Sequence, residues 1–154
     1  MAWWGAYVGR SFGTRSECWS LVVDVYRDRL GVMLPDHGEV AADYVAVTEA
    51  LRFGHLPRHQ IAAARRAVMD AFDAGQAAES WIPVMHPQAF DVVLMGGPHA
   101  DRSRVMHVGV AVDSRRVLHI EKATGSVVVP LTHPGIAGRI IGYRRHVTQW
   151  RGES

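Results

Sequence analysis

The stretch Tyr7-Val8-Gly9-Arg10-Ser11-Phe12-Gly13-Thr14-Arg15-Ser16-Glu17-Cys18-Trp19-Ser20-Leu21-Val22 passes from a glycine-punctuated loop into an apolar-periodic segment, and it carries the only cysteine of the chain. Cys18, Leu21, Val22 and Val25 fall at i, i+3, i+4 and i+7, one face of a helix expected to run to about Leu30 and to stop at Gly31. Thr14-Arg15-Ser16-Glu17 has the pattern of a capping box. If Thr14 is the N-cap, Cys18 follows in the first turn or just past it; if Ser16 is the N-cap, Cys18 is the second helical residue. In both cases the thiol lies near the positive end of the helix dipole and near unpaired N–H groups, an arrangement that favours the thiolate.

Working outward, Leu34-Pro35-Asp36-His37-Gly38 reads as a turn. The apolar positions Val40, Tyr44, Val47 and Leu51 predict a second helix, and Ile61, Ala64, Val68 and Phe72 a third that stops near Gly75. The pattern then changes. Runs rich in β-branched residues occupy Phe90–Met95, Val105–Val112, Arg116–Glu121, Ser126–Leu131 and Arg139–Arg145, with Gly, Pro, Asp and Ser between them. Helices followed by consecutive strands predict an α+β fold, N-terminal helices on a C-terminal antiparallel sheet of about five strands. At 154 residues and 48% hydrophobic composition the chain suits one domain, 1–154, with the 38–75 helices as an insertion.

Composition narrows the function. A single cysteine excludes an internal disulfide and a cysteine-rich zinc site, leaving a buried structural thiol or a catalytic one. The formal charge of +2 is too small to argue for nucleic acid, although Arg139, Arg144, Arg145 and Arg151 lie in a stretch without an acid that could meet an acidic surface. The start of the chain has neither the charged head nor the long apolar run of a secretory signal or a membrane span, so synthesis in the cytoplasm without a signal peptide is expected. His55 and His59 have the i, i+4 spacing of helical metal ligands, but Pro57 lies between them.

Two of the nine histidines stand out. In Val105-Met106-His107-Val108-Gly109-Val110-Ala111-Val112, alternation sets His107, Gly109 and Ala111 opposite Met106, Val108 and Val110; in Val117-Leu118-His119-Ile120-Glu121, His119 is opposite Leu118 and Ile120. Both imidazoles share a face if the intervening loop has an odd number of residues, such as Asp113-Ser114-Arg115, or contains a bulge. One of these is expected, because a Cys–His pair needs one imidazole near the sulfur and a second polar group to orient it.

These residues resemble the NlpC/P60 cysteine peptidases of the papain-like superfamily, particularly the forms in tail tips of phages and of phage-like particles such as gene transfer agents. The resemblance lies in the Tyr-x-Gly loop leading to Cys18-Trp19-x-Leu-Val, in Phe90-Asp91-Val92-Val93-Leu94-Met95, in the His107-Val108-Gly109-Val110 strand, and in Leu118-His119 followed by Arg139-Ile140-Ile141-Gly142-Tyr143-Arg144-Arg145. It implies Cys18 as nucleophile, His107 as general base and acid, and His119 as the group that orients His107. It also implies Tyr7 as an aid to the oxyanion or substrate. Trp19, beside the nucleophile, is a candidate wall of the cleft. No metal or cofactor is expected. The implied substrate is the D-γ-glutamyl–diamino acid amide of peptidoglycan stem peptides, and the implied partners are tail-tip or hub proteins of the particle. Glu17, Trp19-Ser20 and Phe90 stand where the family usually has Asp, Ser-Gly and Gly.

Overall fold

The structure is a computed structural model that describes residues 2–13, 17–34, 81–97, 101–102 and 105–149. The two helices expected between 38 and 75, the caps Thr14 and Ser16, and His55, His59 and Arg151 lie outside the described residues. Helix α1 spans Cys18–Val25 and continues as one π-helical turn, Tyr26–Leu30, that ends at Gly31 with φ 65°. A glycine fits that left-handed position without a Cβ penalty. The predicted stripe is the buried one: Cys18, Leu21, Val22 and Val25 all face the core, joined by Trp19.

Six strands form one antiparallel sheet: β1 (Trp81–Val84), β2 (Val92–Met95), β3 (His107–Ala111), β4 (Arg116–Glu121), β5 (Gly125–Pro130) and β6 (Ile140–His146), in the order β1-β6-β2-β3-β4-β5. A short helix α2, Pro134–Ala137, precedes β6. The five expected strands are present, and β1 is a sixth. It has four residues and contains Pro83, and it lies at the sheet edge, where a missing N–H is tolerated.

The sheet has a different core on each side. Under α1, Cys18, Trp19, Leu21, Val22 and Val25 pack with Val92, Leu94, Val108, Val110, Leu118 and Ile120. On the other face, Val93, Met95, Ala111, Val117 and Ile136 form a smaller cluster beneath α2. The far edge of β5 is stitched to the segment ahead of the nucleophile: Gly9 N–H donates to Ser126 O at 2.9 Å and Ser126 N–H to Arg10 O at 2.8 Å. Gly125 is needed there, since a Cβ would lie 2.4 Å from Arg10 O and φ is already +65°.

Two ion pairs change the reading of the arginine-rich segment. Arg145 grips the buried Asp91 with both arms of its guanidinium, Nε–Oδ1 2.9 Å and Nη2–Oδ2 2.7 Å, and Arg139 Nη1 holds Glu121 Oε1 at 2.8 Å. These cations are committed to carboxylates within the fold rather than offered to an outside polyanion. His146 is also buried, its ring edge-on to Trp81 with centroids 5.0 Å apart.

Candidate active site

The start of α1 differs from both expected caps. Glu17 is the N-cap itself: its side chain accepts from the Ser20 backbone N–H while Ser20 Oγ accepts from Glu17 N–H at 2.8 Å. The glutamate carboxylate is thereby used on the backbone, and Cys18 becomes the first helical residue. The backbone N–H groups of Val108, Trp19 and Cys18 itself approach the sulfur.

The Val108 contact shows how the sheet meets the nucleophile. Strands β3 and β4 are in register over Val110↔Leu118 and Ala111↔Val117 only. Closer to His107 the ladder stops, and the Val108 N–H serves the Cys18 sulfur. The turn is the odd one the histidines require: Val112 N–H donates to Arg116 O at 3.0 Å, leaving Asp113-Ser114-Arg115 as a three-residue loop. Asp113 Oδ1 accepts from the N–H groups of Arg115 and Arg116, which fixes that loop.

His107 and His119 therefore project from the same face, and His107 Nε2 lies 2.9 Å from His119 Nδ1. Gly109, between them on that face, cannot carry a side chain: a Cβ would meet Val117 Cγ2 at 2.7 Å, Leu118 O at 2.8 Å and His119 Cβ at 3.1 Å. The histidine pair extends to Glu121, whose Oε1 is 3.8 Å from His107 Nε2 and 4.0 Å from His119 Nδ1. Arg139 secures that carboxylate and also donates from Nε to Gly96 O at 3.1 Å. Glu121 and Arg139 were not among the expected site residues. The signal for Glu121 was its i+2 position after His119, which puts both on one face; nothing in the sequence paired it with Arg139.

Burial governs the electrostatics. Cys18 is 8% exposed, and its thiol is pushed up to about 12, mainly by desolvation, with a smaller contribution from the Glu17 charge and opposition from the N–H groups around the sulfur. The expected activation by the helix terminus is overridden. A terminus contributes about 0.3–1 kcal/mol, whereas full burial moves a group by up to 3–5 units, roughly 4–7 kcal/mol. Desolvation holds His107 well below its usual value, with His119 and Arg139 adding to the effect. His119 is lowered by the same cause, against the opposing pull of Glu121.

Tyr7 and Trp19 both belong to the buried core under α1. Tyr7 is buried, and its hydroxyl donates to Asp28 Oδ2 at 3.1 Å, in the π-helical turn at the far end of the helix from Cys18. A phenol has one proton, so this bond takes the donor an oxyanion would need; the carboxylate is the stronger acceptor. Trp19 is 2% exposed and belongs to the core beneath α1.

The NlpC/P60 family profile matches residues 4–145. This chain belongs to the NlpC/P60 family. The match covers α1, all six strands and the histidine pair, so the α+β arrangement is the NlpC/P60 fold. NlpC/P60 proteins are generally cysteine peptidases that act on peptidoglycan peptides. Among solved structures, the chain is similar to a lipoprotein-like protein of the NLP/P60 family from Staphylococcus aureus subsp. aureus Mu50, at 18% identity and a TM-score of 0.49, over 91% of this chain and 37% of that one. The chain thus spans well under half the length of that protein. No curated protein matches the sequence.

Proposed function

We propose that this NlpC/P60 domain is a peptidoglycan endopeptidase that cleaves the D-γ-glutamyl–diamino acid amide with Cys18, His107 and His119. The observation that carries the reading is the His107–His119 contact at 2.9 Å, beside a backbone amide that serves the Cys18 sulfur. With His107 Nε2 held by His119, Nδ1 is the ring nitrogen left to exchange a proton with the thiol. In the reaction, His107 takes the Sγ proton as sulfur attacks the amide carbonyl, and a tetrahedral oxyanion forms. Backbone N–H groups at the start of α1 are the donors for that oxyanion. His107 then protonates the departing amine, leaving a thioester that water hydrolyses with His107 again acting as base. The neutral thiol favours proton transfer coupled to attack over a standing thiolate–imidazolium pair.

Delivery in the tail of a phage or phage-like particle, with tail-tip or hub proteins as partners, is the setting proposed for this activity. It rests on the sequence resemblance described above. A second reading has a specific observation behind it: the thiol is buried with its pKa raised to about 12, as in a structural cysteine. Under that reading the domain is a catalytically silent tail-tip module. An intracellular amidase or acyltransferase of the same superfamily is distinguished by its products.

The deciding experiment is mass spectrometry of purified sacculi incubated with the parent protein and with Cys18→Ala. New termini between the second and third stem residues, made by the parent alone, support the endopeptidase and its nucleophile. Equal absence of products from both supports the silent module.

A further inference from the structure

We infer that His107 Nε2, His119 Nδ1 and Glu121 Oε1 form a binding site for Zn2+ or a similar transition-metal ion. The three atoms are separated by 2.9, 3.8 and 4.0 Å; the nearest point equidistant from them lies in their own plane, about 2.1 Å from each, so a tetrahedral ion with a fourth ligand requires the two imidazoles to part by a few tenths of an ångström. Zinc binds imidazole nitrogen at about 2.0–2.1 Å and carboxylate oxygen at about 2.0–2.2 Å. Two imidazoles and one carboxylate are a ligand set suited to zinc, with a further position left for water.

The fold supports this arrangement. His119 and Glu121 are at i and i+2 on β4, and His107 comes from β3 across the gap where the ladder stops, so the ligands are mounted on sheet backbone. Both imidazoles are buried, which limits their search among rotamers. Arg139 orients the carboxylate as a supporting contact does in metal proteins, although it bonds the same oxygen and must yield it to the ion. That competition, and the repulsion between cation and guanidinium, make the site weaker than a dedicated zinc site and reversible by chelators.

Metal binding consumes the lone pairs of both facing nitrogens. The proton that bridges the rings moves to the outer nitrogen of the ring that carries it, with no net proton release. If that ring is His107, Nδ1 becomes protonated and cannot accept the thiol proton. The metal is then an inhibitor, a consequence that rests on the peptidase reading, whereas metal binding itself does not.

The test uses the untagged full chain stripped with chelator and titrated with Zn2+ by equilibrium dialysis and with Co2+ by visible absorption. One ion per chain is expected. Glu121→Gln should weaken binding at least about tenfold, while Cys18→Ala leaves it unchanged and the Co2+ complex lacks a thiolate charge-transfer band. Circular dichroism checks that both variants fold, and Glu121→Gln keeps the shape of a half-buried side chain. Absence of stoichiometric binding, unchanged binding in Glu121→Gln, or loss of binding in Cys18→Ala with a thiolate band in the parent would each overturn the site. Sacculus digestion with and without Zn2+ is run in parallel. A parent that binds metal but never cleaves keeps the site and removes only the peptidase reading.

Discussion

His107 Nε2 and His119 Nδ1 are 2.9 Å apart, so one proton bridges two buried imidazoles and each ring fixes the orientation of the other. A ring locked in this way has one nitrogen left for chemistry. We expect His107→Ala to lower the cleavage rate by about 100- to 10,000-fold, the range for loss of a general base. His119→Ala should retain more activity than His107→Ala, and His119→Gln, which restores a hydrogen-bonding group, more again. Initial rates on a soluble stem peptide check the order; equal activity of His107→Ala and parent would remove the histidine from the mechanism.

The thiol pKa of about 12 changes what alkylation reports. Only the thiolate reacts, so iodoacetamide should modify Cys18 at pH 7 at least about 100-fold more slowly than a small free thiol, with the rate still rising above pH 9. Slow alkylation therefore fits an enzyme whose thiol is deprotonated during attack as well as a structural cysteine. A rate plateau below pH 8 would show that the burial described here does not control the thiol.

Acid should destabilise the fold through its histidines. Burial lowers the pKa of His107, His119 and His146 below the usual 6.5. As pH falls below that value, the unfolded chain takes up protons before the folded one does. The stability contribution is complete above about pH 6.5 and is lost as pH drops through the lowered folded-state values. Urea midpoints measured with EDTA should fall from pH 7.5 to pH 5, and His146→Gln should flatten that dependence. A midpoint independent of pH over this range would contradict the burial of these rings.

Gly109 keeps β4 close enough for the histidines to meet. Gly109→Ala places a methyl group against Val117, Leu118 and His119 at 2.7–3.1 Å, and overpacking of this kind costs about 1–3 kcal/mol. The strain falls on His119, so catalytic rate should fall further than the loss of folded protein explains. Denaturation midpoints and rates measured on the same samples separate the two effects.

Asp91 is a structural anchor. It is 1% exposed, with Arg145 on both carboxylate oxygens and Gln88 N–H on one of them. Asp91→Ala leaves a guanidinium without its partner and should cost about 3–5 kcal/mol. Pairing it with Arg145→Met should recover part of that loss in urea melts. No recovery would mean the carboxylate matters to the loop at Gln88 rather than to the ion pair.

Much of this architecture was legible because it follows from periodicity. The i, i+3, i+4, i+7 stripe gave α1, and strand alternation placed His107 and His119 on one face once the odd loop was required. Strand β1 escaped because a four-residue edge strand with a proline has little period to read. The cap escaped because Glu17 serves as N-cap through its longer side chain, where Thr14 and Ser16 have the residue type usually found there. The surroundings of Tyr7 and Trp19 were not legible, because a linear pattern does not say which carboxylate a phenol will find or how closely a helix packs. Phe90 is a further case: it occupies a glycine-like position with φ 74°, held by a stack on Trp3 at 4.6 Å and by the Tyr26 hydroxyl on its carbonyl.

The strand order also has a bearing on synthesis. Strand β6 emerges after the other five strands among the described residues, yet it lies between β1 and β2 and carries the arginine that anchors Asp91. Until residues 140–146 are available, β1 has no neighbour and the strand next to His107 has one open edge. The thiol leaves the ribosome some 90 residues ahead of the imidazoles, and the sheet that aligns them closes only afterwards. A chain stopped before residue 107 thus has the thiol without a base, and one stopped before residue 140 has both imidazoles on a sheet whose β2 edge is still open.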